Sequence, residues 1–241
     1  ADAAHQLKTP LAGLRTQAEL IQREIDAGRS SPDELKRSLQ QIARASERAA
    51  HTVNQLLTMA RAEDAEQALH KVPVNLPEIA VDTVRDFVPR ALERRIDLGY
   101  EGCEPDASRL RLAGQPVLVG ELIRNLVDNA LLYTPAGGTV TVRVVEDPFG
   151  QVCVLQVEDS GPGIAEAERE KVFQPFYRAL GTNVDGSGLG LAIVREIVQQ
   201  HEAEIAVDDT HPRRQAEAEG VGPGARFTVR FAAHPLPNAA H

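Results

Sequence analysis

The apolar residues between Ala1 and Leu69 recur at helical spacing, and the only helix breakers there are Pro10, Gly13, Gly28 and Pro32. Leu7, Leu11, Leu14, Ala18, Ile21 and Ile25 form one stripe. A second stripe, Leu35, Leu39, Ile42, Ser46, Ala49, Val53, Leu56 and Ala60, alternates steps of four and three, which makes a heptad seam. Between them Gly28 to Ser31 supplies a turn, with Ser31 at the N-cap, Pro32 at the first helical position and Glu34 where a capping box needs it. The pattern predicts a helical hairpin over residues 1–70. One hairpin buries two such stripes poorly, so the favoured arrangement is a dimeric four-helix bundle, with a lone hairpin packed on a second domain as the alternative.

From Lys71 the pattern changes. Lys71-Val-Pro-Val-Asn75 breaks the helix and reads as a linker over residues 71–75. Beyond it the chain predicts a helix from Leu76 to Leu92, strands at Ile96 to Tyr100 and Arg109 to Ala113, and a long amphipathic helix from Gln115 to Tyr133. Two β-rich runs follow, Thr139 to Val145 and Gln151 to Glu158, joined by Asp147-Pro-Phe-Gly150 as a hairpin. A helix from Leu189 to Gln200 and strands near Glu204 to Val207 and Ala225 to Phe231 complete the series. Strands interleaved with helices, but with few strict strand-helix-strand units, predict a mixed sheet covered on one face by helices within a domain of residues 76–232. Thr210 to Gly224, polar and rich in charge and glycine, reads as a mobile loop, and residues 233–241 as a loose tail. The expected fold class is therefore α + α/β.

At 241 residues and 42% hydrophobic content, the chain has enough apolar material for two packed cores. No run approaches the roughly 18 consecutive apolar residues that cross a bilayer, and no secretion-signal pattern is visible. Two cysteines, Cys103 and Cys153, make a poor disulfide framework and fit a reducing compartment, so the cytoplasm is the expected setting. A net charge of −9 argues against broad nucleic-acid binding, and the lack of tryptophan leaves no stacking platform.

Three short stretches carry the chemistry. Asn125-Leu-Val-Asp-Asn129 puts two carboxamides one helical turn apart on one face, where their oxygens suit a hard cation such as Mg²⁺. Asp159-Ser-Gly-Pro-Gly163 sets a carboxylate beside a turn that glycine makes easily. Gly186-Ser-Gly-Leu-Gly190 opens the helix from Leu189, whose free N–H groups suit phosphate oxygens. In the first helix, His5 lies off the Leu7, Leu11, Leu14 stripe and should face solvent, while Pro10 removes a backbone hydrogen bond five residues on and loosens that turn. The other six histidines, His51, His70, His201, His211, His234 and His241, have no comparable context, and none makes a metal-ligand spacing.

In this order and at these spacings the stretches resemble the cytoplasmic catalytic portion of a two-component sensor histidine kinase, and the resemblance covers nearly the whole sequence. His5-Gln-Leu-Lys-Thr-Pro10 looks like the phosphoacceptor box of the dimerisation and histidine-phosphotransfer domain. Asn125 to Asn129 looks like the asparagine box, Asp159 to Gly163 the first glycine box, Phe173-Gln-Pro-Phe176 the phenylalanine box and Gly186 to Gly190 the second glycine box. That family's ATP-binding domain is a Bergerat-type α/β sandwich, in keeping with the mixed sheet expected above.

The resemblance implies ATP and Mg²⁺ as cofactors. Asp159 would accept a hydrogen bond from the adenine amino group, and Gly161 and Gly163 would let the backbone approach the nucleotide. Asn129 would be the main Mg²⁺ ligand, with Asn125 supporting the ion or the phosphates and Tyr133 lying against the adenine or the lid. Residues from about Phe176 to Gly186 would form that lid, with Arg178 a candidate phosphate contact, and Gly186, Gly188 and Gly190 would meet the phosphates around Leu189. Phe173, Phe176 and Tyr133 also suit plain packing. His5 would take the γ-phosphoryl group and pass it to an aspartate on the receiver domain of a response regulator, within a homodimer. Because His5 stands so near the start of the chain, a sensor and a membrane span of an inner-membrane protein are expected upstream.

Two residues depart from the family pattern. Many members carry a carboxylate directly after the phosphoacceptor, where this chain has Gln6, a carboxamide that orients but cannot act as a base. Leu132 stands where a lysine is common. Thr9, four residues after His5, matches a polar residue that the family associates with dephosphorylating the regulator. The rival readings are an ATP-driven clamp sharing the Bergerat pocket and a degenerate kinase acting as a scaffold. The clamp needs a glutamate base where Asn125 stands, although Glu121 lies one turn earlier on the same face.

Overall fold

The computed structural model describes residues 71–106, 110–146, 149, 151–177, 188–212 and 222–235, together with residues 16, 18, 19, 21–23, 25, 35–40, 42 and 46. The chain divides into two compact units, Ala1–Thr58 and Met59–His241. In the first, every described residue is helical. The stripe residues among them are not buried: Ile25 and Leu39 are 51% and 53% exposed, and Ile21, Leu35 and Ile42 are half-buried. Within one chain, then, these described seam positions keep apolar surface exposed.

The second unit holds β1 (Val72–Val74), α1 (Leu76–Glu93), β2 (Asp97–Gly102), β3 (Leu110–Gly114), α2 (Pro116–Tyr133), β4 (Thr139–Glu146), β5 (Val152–Asp159), α3 (Gly190–Gln200), β6 (Glu204–Asp209) and β7 (Ala225–Pro235). Single 3₁₀ turns lie at Glu166–Glu168 and Lys171–Phe173. The strands form one sheet in the order β1-β3-β7-β5-β4-β2, with β6 also beside β7. Among the described strands only the β2–β4 pair is parallel, so the sheet is mixed, as expected. The predicted hairpin is the antiparallel β4–β5 pair, in which Val142 faces Val157.

The strand period decides where the chemistry goes. Along β5, Cys153, Leu155, Val157 and Asp159 are buried, while Val152, Val154, Gln156 and Glu158 are half-buried. The same alternation that aims the apolar residues at the helices therefore carries Asp159 to the covered side. Above that face lies α2, packed against α1, α3, β4 and β5. Its residues Leu122, Ile123, Leu126, Val127 and Leu131 are fully buried, each contributing about 1.5–3 kcal/mol of hydrophobic stabilisation. On the other face a charge ladder crosses the sheet. Arg143 of β4 reaches Glu101 of β2 at 2.8 Å and Glu158 of β5 at 3.0 Å, and Arg226 of β7 reaches Glu158 at 2.8 Å.

Two expected boundaries are corrected. Val72–Val74, read as part of a linker, is an edge strand paired antiparallel with β3, and Val74 is 2% exposed. Pro73 lacks a donor, which breaks a helix but is tolerated at a sheet edge. The tail does not begin at Ala233: β7 continues to Pro235, and Ala233, His234 and Pro235 pair with Leu112, Arg111 and Leu110. No helix among the described residues is long and apolar enough to cross a membrane.

Candidate functional site

Asp159 ends β5 at 6% exposure, with its Oδ1 accepting the backbone N–H of Gly161 at 2.8 Å and of Ala225 at 3.2 Å. Both donors fall on one oxygen. Among the described residues Oδ2 has no partner and remains available to a ligand's donor. Burial pushes the carboxyl up to about 6, against the pull of the two backbone bonds. Its main-chain carbonyl is also tied, accepting the Thr210 hydroxyl at 3.1 Å.

Around this carboxylate the backbone is too close for side chains. A Cβ on Gly161 would lie 2.9 Å from Asp159 Oδ1 and 3.0 Å from the Tyr133 carbonyl oxygen, so the end of α2 abuts the first glycine box. Gly163 is left-handed, at φ 72°, and a Cβ there would lie 2.9 Å from the Gly224 oxygen. Gly224 in turn donates to the Gly161 carbonyl at 3.0 Å.

The asparagine helix begins with Pro116 in its first turn and has no side-chain cap. Asn125 is 8% exposed and its Nδ2 donates to the Glu121 carbonyl at 2.8 Å, which fixes the amide against its own helix. Asn129, one turn on, is half-buried, as is Tyr133. On the outer side Arg90 pairs with Asp128, Arg124 with Asp86, and Arg94 donates to the Leu132 carbonyl at 3.2 Å. These links hold α1 along α2 and restrain the rotation that aims the two asparagines.

The phenylalanine box is fixed from both sides. Phe173 is 7% exposed, meets the edge of Phe227 at 6.3 Å and lies 5.6 Å beneath the Arg195 guanidinium of α3. Phe176 is left-handed and donates its N–H to Gly188 at 2.8 Å. Next to Gly188, Leu189 is fully buried and forms the N-cap of α3, which begins at Gly190 with no side-chain cap bond. Leucine offers no capping oxygen, and among the described residues no side-chain cap is seen at this helix start, a feature that suits phosphate oxygens. The open Asp159 oxygen, the crowded glycines and the uncapped helix together suit a purine nucleotide with its polyphosphate, and carboxamide oxygens suit a hard cation.

Asn125, Asn129, Tyr133, Asp159, Gly161, Gly163, Phe176, Gly188, Leu189 and Gly190 all fall within the second unit, where the close approaches are those of Gly161 to Tyr133 and Asp159 and of Phe176 to Gly188. His5, Gln6, Thr9, Arg178 and Gly186 lie outside the described residues. Sequence reading missed two sets of residues. Gly222-Pro-Gly224, assigned to the mobile loop, closes on the first glycine box; its signal was the repeat of Gly161-Pro-Gly163. His201, read as without context, is 7% exposed and bonded through both ring nitrogens.

Two family descriptions match the chain. "His Kinase A (phospho-acceptor) domain" covers residues 1–65, and "Histidine kinase-, DNA gyrase B-, and HSP90-like ATPase" covers residues 114–235. The Sensor protein kinase PmrB of Pseudomonas aeruginosa is 38% identical over 208 residues, which are 86% of this chain and 41% of that protein. The Signal transduction histidine-protein kinase/phosphatase MprB of Mycobacterium avium is 34% identical over 245 residues, 100% of this chain and 44% of that one. The chain thus spans about two fifths of the length of these relatives. Among solved structures, a mycobacterial sensor histidine kinase MprB superposes with a TM-score of 0.57 at 29% identity, over 69% of this chain and 100% of that one. The phospho-acceptor and ATPase matches stand in the same order as the boxes, and the chain belongs to the sensor histidine kinase family.

Proposed function

We propose that this chain catalyses ATP-dependent phosphorylation of His5 and transfers the phosphoryl group to an aspartate of a response regulator. The observation that carries the reading is the pocket around Asp159: one open carboxylate oxygen, a glycine cradle and the uncapped start of α3 on the same domain. Asp159 would select adenine by accepting from its amino group, a task that the amide of an asparagine performs badly because it also presents donors. Asn129 and Asn125 would hold Mg²⁺, which when bound neutralises charge on the phosphates. Gly188, Leu189 and Gly190 would present backbone donors to the phosphates, joined in the proposal by Gly186 and Arg178. Tyr133 and Phe176 would wall the pocket.

His5 reacts as neutral imidazole. The lone pair of one ring nitrogen attacks the γ-phosphorus, a nitrogen–phosphorus bond forms, the bond to the bridging oxygen breaks, and ADP leaves. The proton on the other ring nitrogen must then depart, and Gln6 is not a base for it. Solvent therefore takes that proton, which makes the step slower than with a neighbouring carboxylate. The phosphohistidine is a reactive donor for a receiver-domain aspartate. Thr9 is assigned to the reverse duty of regulator dephosphorylation, in keeping with the kinase/phosphatase name of the MprB relative. The exposed seam residues Ile25 and Leu39 support a homodimeric hairpin. ATP use sets this portion in the cytoplasm, and the inner-membrane sensor setting is what the family resemblance implies.

The ATPase-clamp alternative is disfavoured because Asn125, at the position its base requires, is a carboxamide committed to the Glu121 carbonyl. Incubation with Mg²⁺ and γ-labelled ATP tests the choice. Label retained on protein supports the kinase; free phosphate released by both wild type and His5→Ala, with unlabelled protein, rejects it.

A further inference from the structure

His201 stands at the C-cap of α3, at the opposite end of that helix from Gly190. Its Nε2 accepts the backbone N–H of Gln115 at 3.1 Å, and Gln115 is the N-cap of α2. A donor facing Nε2 requires a lone pair there, so the ring is neutral with its proton on Nδ1, which donates to the Ile197 carbonyl at 2.8 Å. One imidazole therefore joins the end of α3 to the start of α2, while Gly190 opens α3 and Asn125 to Tyr133 form the second half of α2.

The surroundings are built for this ring. The edge of Phe231 from β7 meets it at 6.2 Å. Gly114, which ends β3, admits it: a Cβ there would lie 2.7 Å from the His201 Cδ2 and 2.8 Å from Nε2. Among the described residues, the charged groups beside it are Lys71, just before β1, and Glu202, which pairs with Lys71 at 3.4 Å. From β3, the start of α2 and β7 it meets Gly114, Gln115 and Phe231, none of which titrates. A histidine at a helix C-terminus ordinarily gains basicity from the dipole. Here burial first, and then the Lys71 charge, hold it below the usual 6.5 despite the Ile197 bond.

We propose that His201 is a positioning residue for the nucleotide site: its neutral imidazole fixes the start of α2 against the end of α3 and so sets Asn125 and Asn129 against the N-terminus of α3. The proposal rests on the nucleotide reading of that site. Protonation puts a second N–H on Nε2, opposite the Gln115 N–H, and the bond between the helices is lost. Nucleotide affinity then falls as the ring charges, although the ring touches neither nucleotide nor metal ligands.

The test is calorimetric titration of the whole chain with a non-hydrolysable ATP analogue and Mg²⁺, for wild type, His201→Gln and His201→Phe, from mildly alkaline pH down to well below 6.5, where the ring charges. Glutamine keeps an acceptor for Gln115 and does not titrate. It should match wild type in alkali and bind more tightly than wild type in acid; Asp159 titrates in both proteins and cancels in their ratio. Phenylalanine, which removes the Nε2 acceptor and with it the link to Gln115, should weaken binding by about fivefold or more in alkali. Equal affinity of His201→Phe and wild type in alkali, or a constant ratio of His201→Gln to wild type across pH, overturns the proposal. If His201→Phe does not fold, the glutamine ratio alone decides. Absence of analogue binding by wild type at every pH overturns the nucleotide reading itself.

Discussion

The N–H of Phe176 donates to the carbonyl of Gly188 at 2.8 Å, and both backbones are left-handed, at φ 64° and 71°. The bond ties the phenylalanine box to the second glycine box at the start of α3. A phenylalanine in that conformation is strained, and the strain is held in place by the pairing and by the anchoring of Phe173 under Arg195.

Gly188→Ala should break this junction. The new Cβ would sit 2.8 Å from the Phe176 Cα, on a residue already at positive φ. The expected outcome is a loss of about 1–2 kcal/mol of stability from the backbone alone, together with weaker nucleotide binding. Thermal unfolding with and without nucleotide checks it; an unchanged midpoint in both conditions contradicts the packing described.

Asp159→Asn should raise stability and remove function together. The carboxyl of the folded domain sits near 6 against 3.8 for a free aspartate. The folded state thus binds a proton more tightly than the unfolded state, and the stability this provides is present at low pH and lost as pH rises through about 6. At neutral pH the ionised group opposes folding by about 3 kcal/mol as an upper bound. Asparagine retains an oxygen for the Gly161 and Ala225 donors, so the nucleotide-free variant should melt at higher temperature at neutral pH, and the gain should vanish below pH 3.8. Nucleotide binding should disappear, because the introduced amide would face the adenine amino group donor to donor. A variant that binds ATP like wild type contradicts the assignment.

Nucleotide affinity of the wild type should also weaken in acid. With both backbone donors on Oδ1, the proton goes to Oδ2, the oxygen left for the ligand. Titration of affinity against pH checks this; a profile flat through 6 counts against Asp159 as the adenine acceptor.

Gln6→Glu should accelerate autophosphorylation by about tenfold or more at neutral pH, since a carboxylate can take the imidazole proton. A rate unchanged across pH contradicts the role. Thr9→Ala should slow dephosphorylation of the regulator while sparing autophosphorylation; equal loss of both contradicts a separate role for Thr9.

Much of this architecture is legible from local pattern. The alternation in Val152 to Asp159 and the long apolar face of Pro116 to Tyr133 define β5 and α2 without tertiary information. What escapes is set by non-local pairing. Val72–Val74 is three residues long and contains Pro73, so only β3 makes it a strand. Ala233 to Pro235 lack branched residues and become strand through the Leu110 to Leu112 segment. In the site, the asparagine and glycine boxes announce themselves by spacing. Thr210, Gly222 and Gly224 reach Asp159 and Gly161 across a long sequence separation, and His201 reveals its task only when Gln115 is folded against it.

In the proposed reaction, ATP held around Asp159 donates its γ-phosphoryl group to His5 and leaves as ADP. The measurement that tests it most directly is the chemical stability of the label on the chain after incubation with Mg²⁺ and γ-labelled ATP, compared with His5→Ala. A phosphohistidine predicts label that is lost in acid, retained in base and absent from the variant. Acid-stable label, or label undiminished in His5→Ala, contradicts the account.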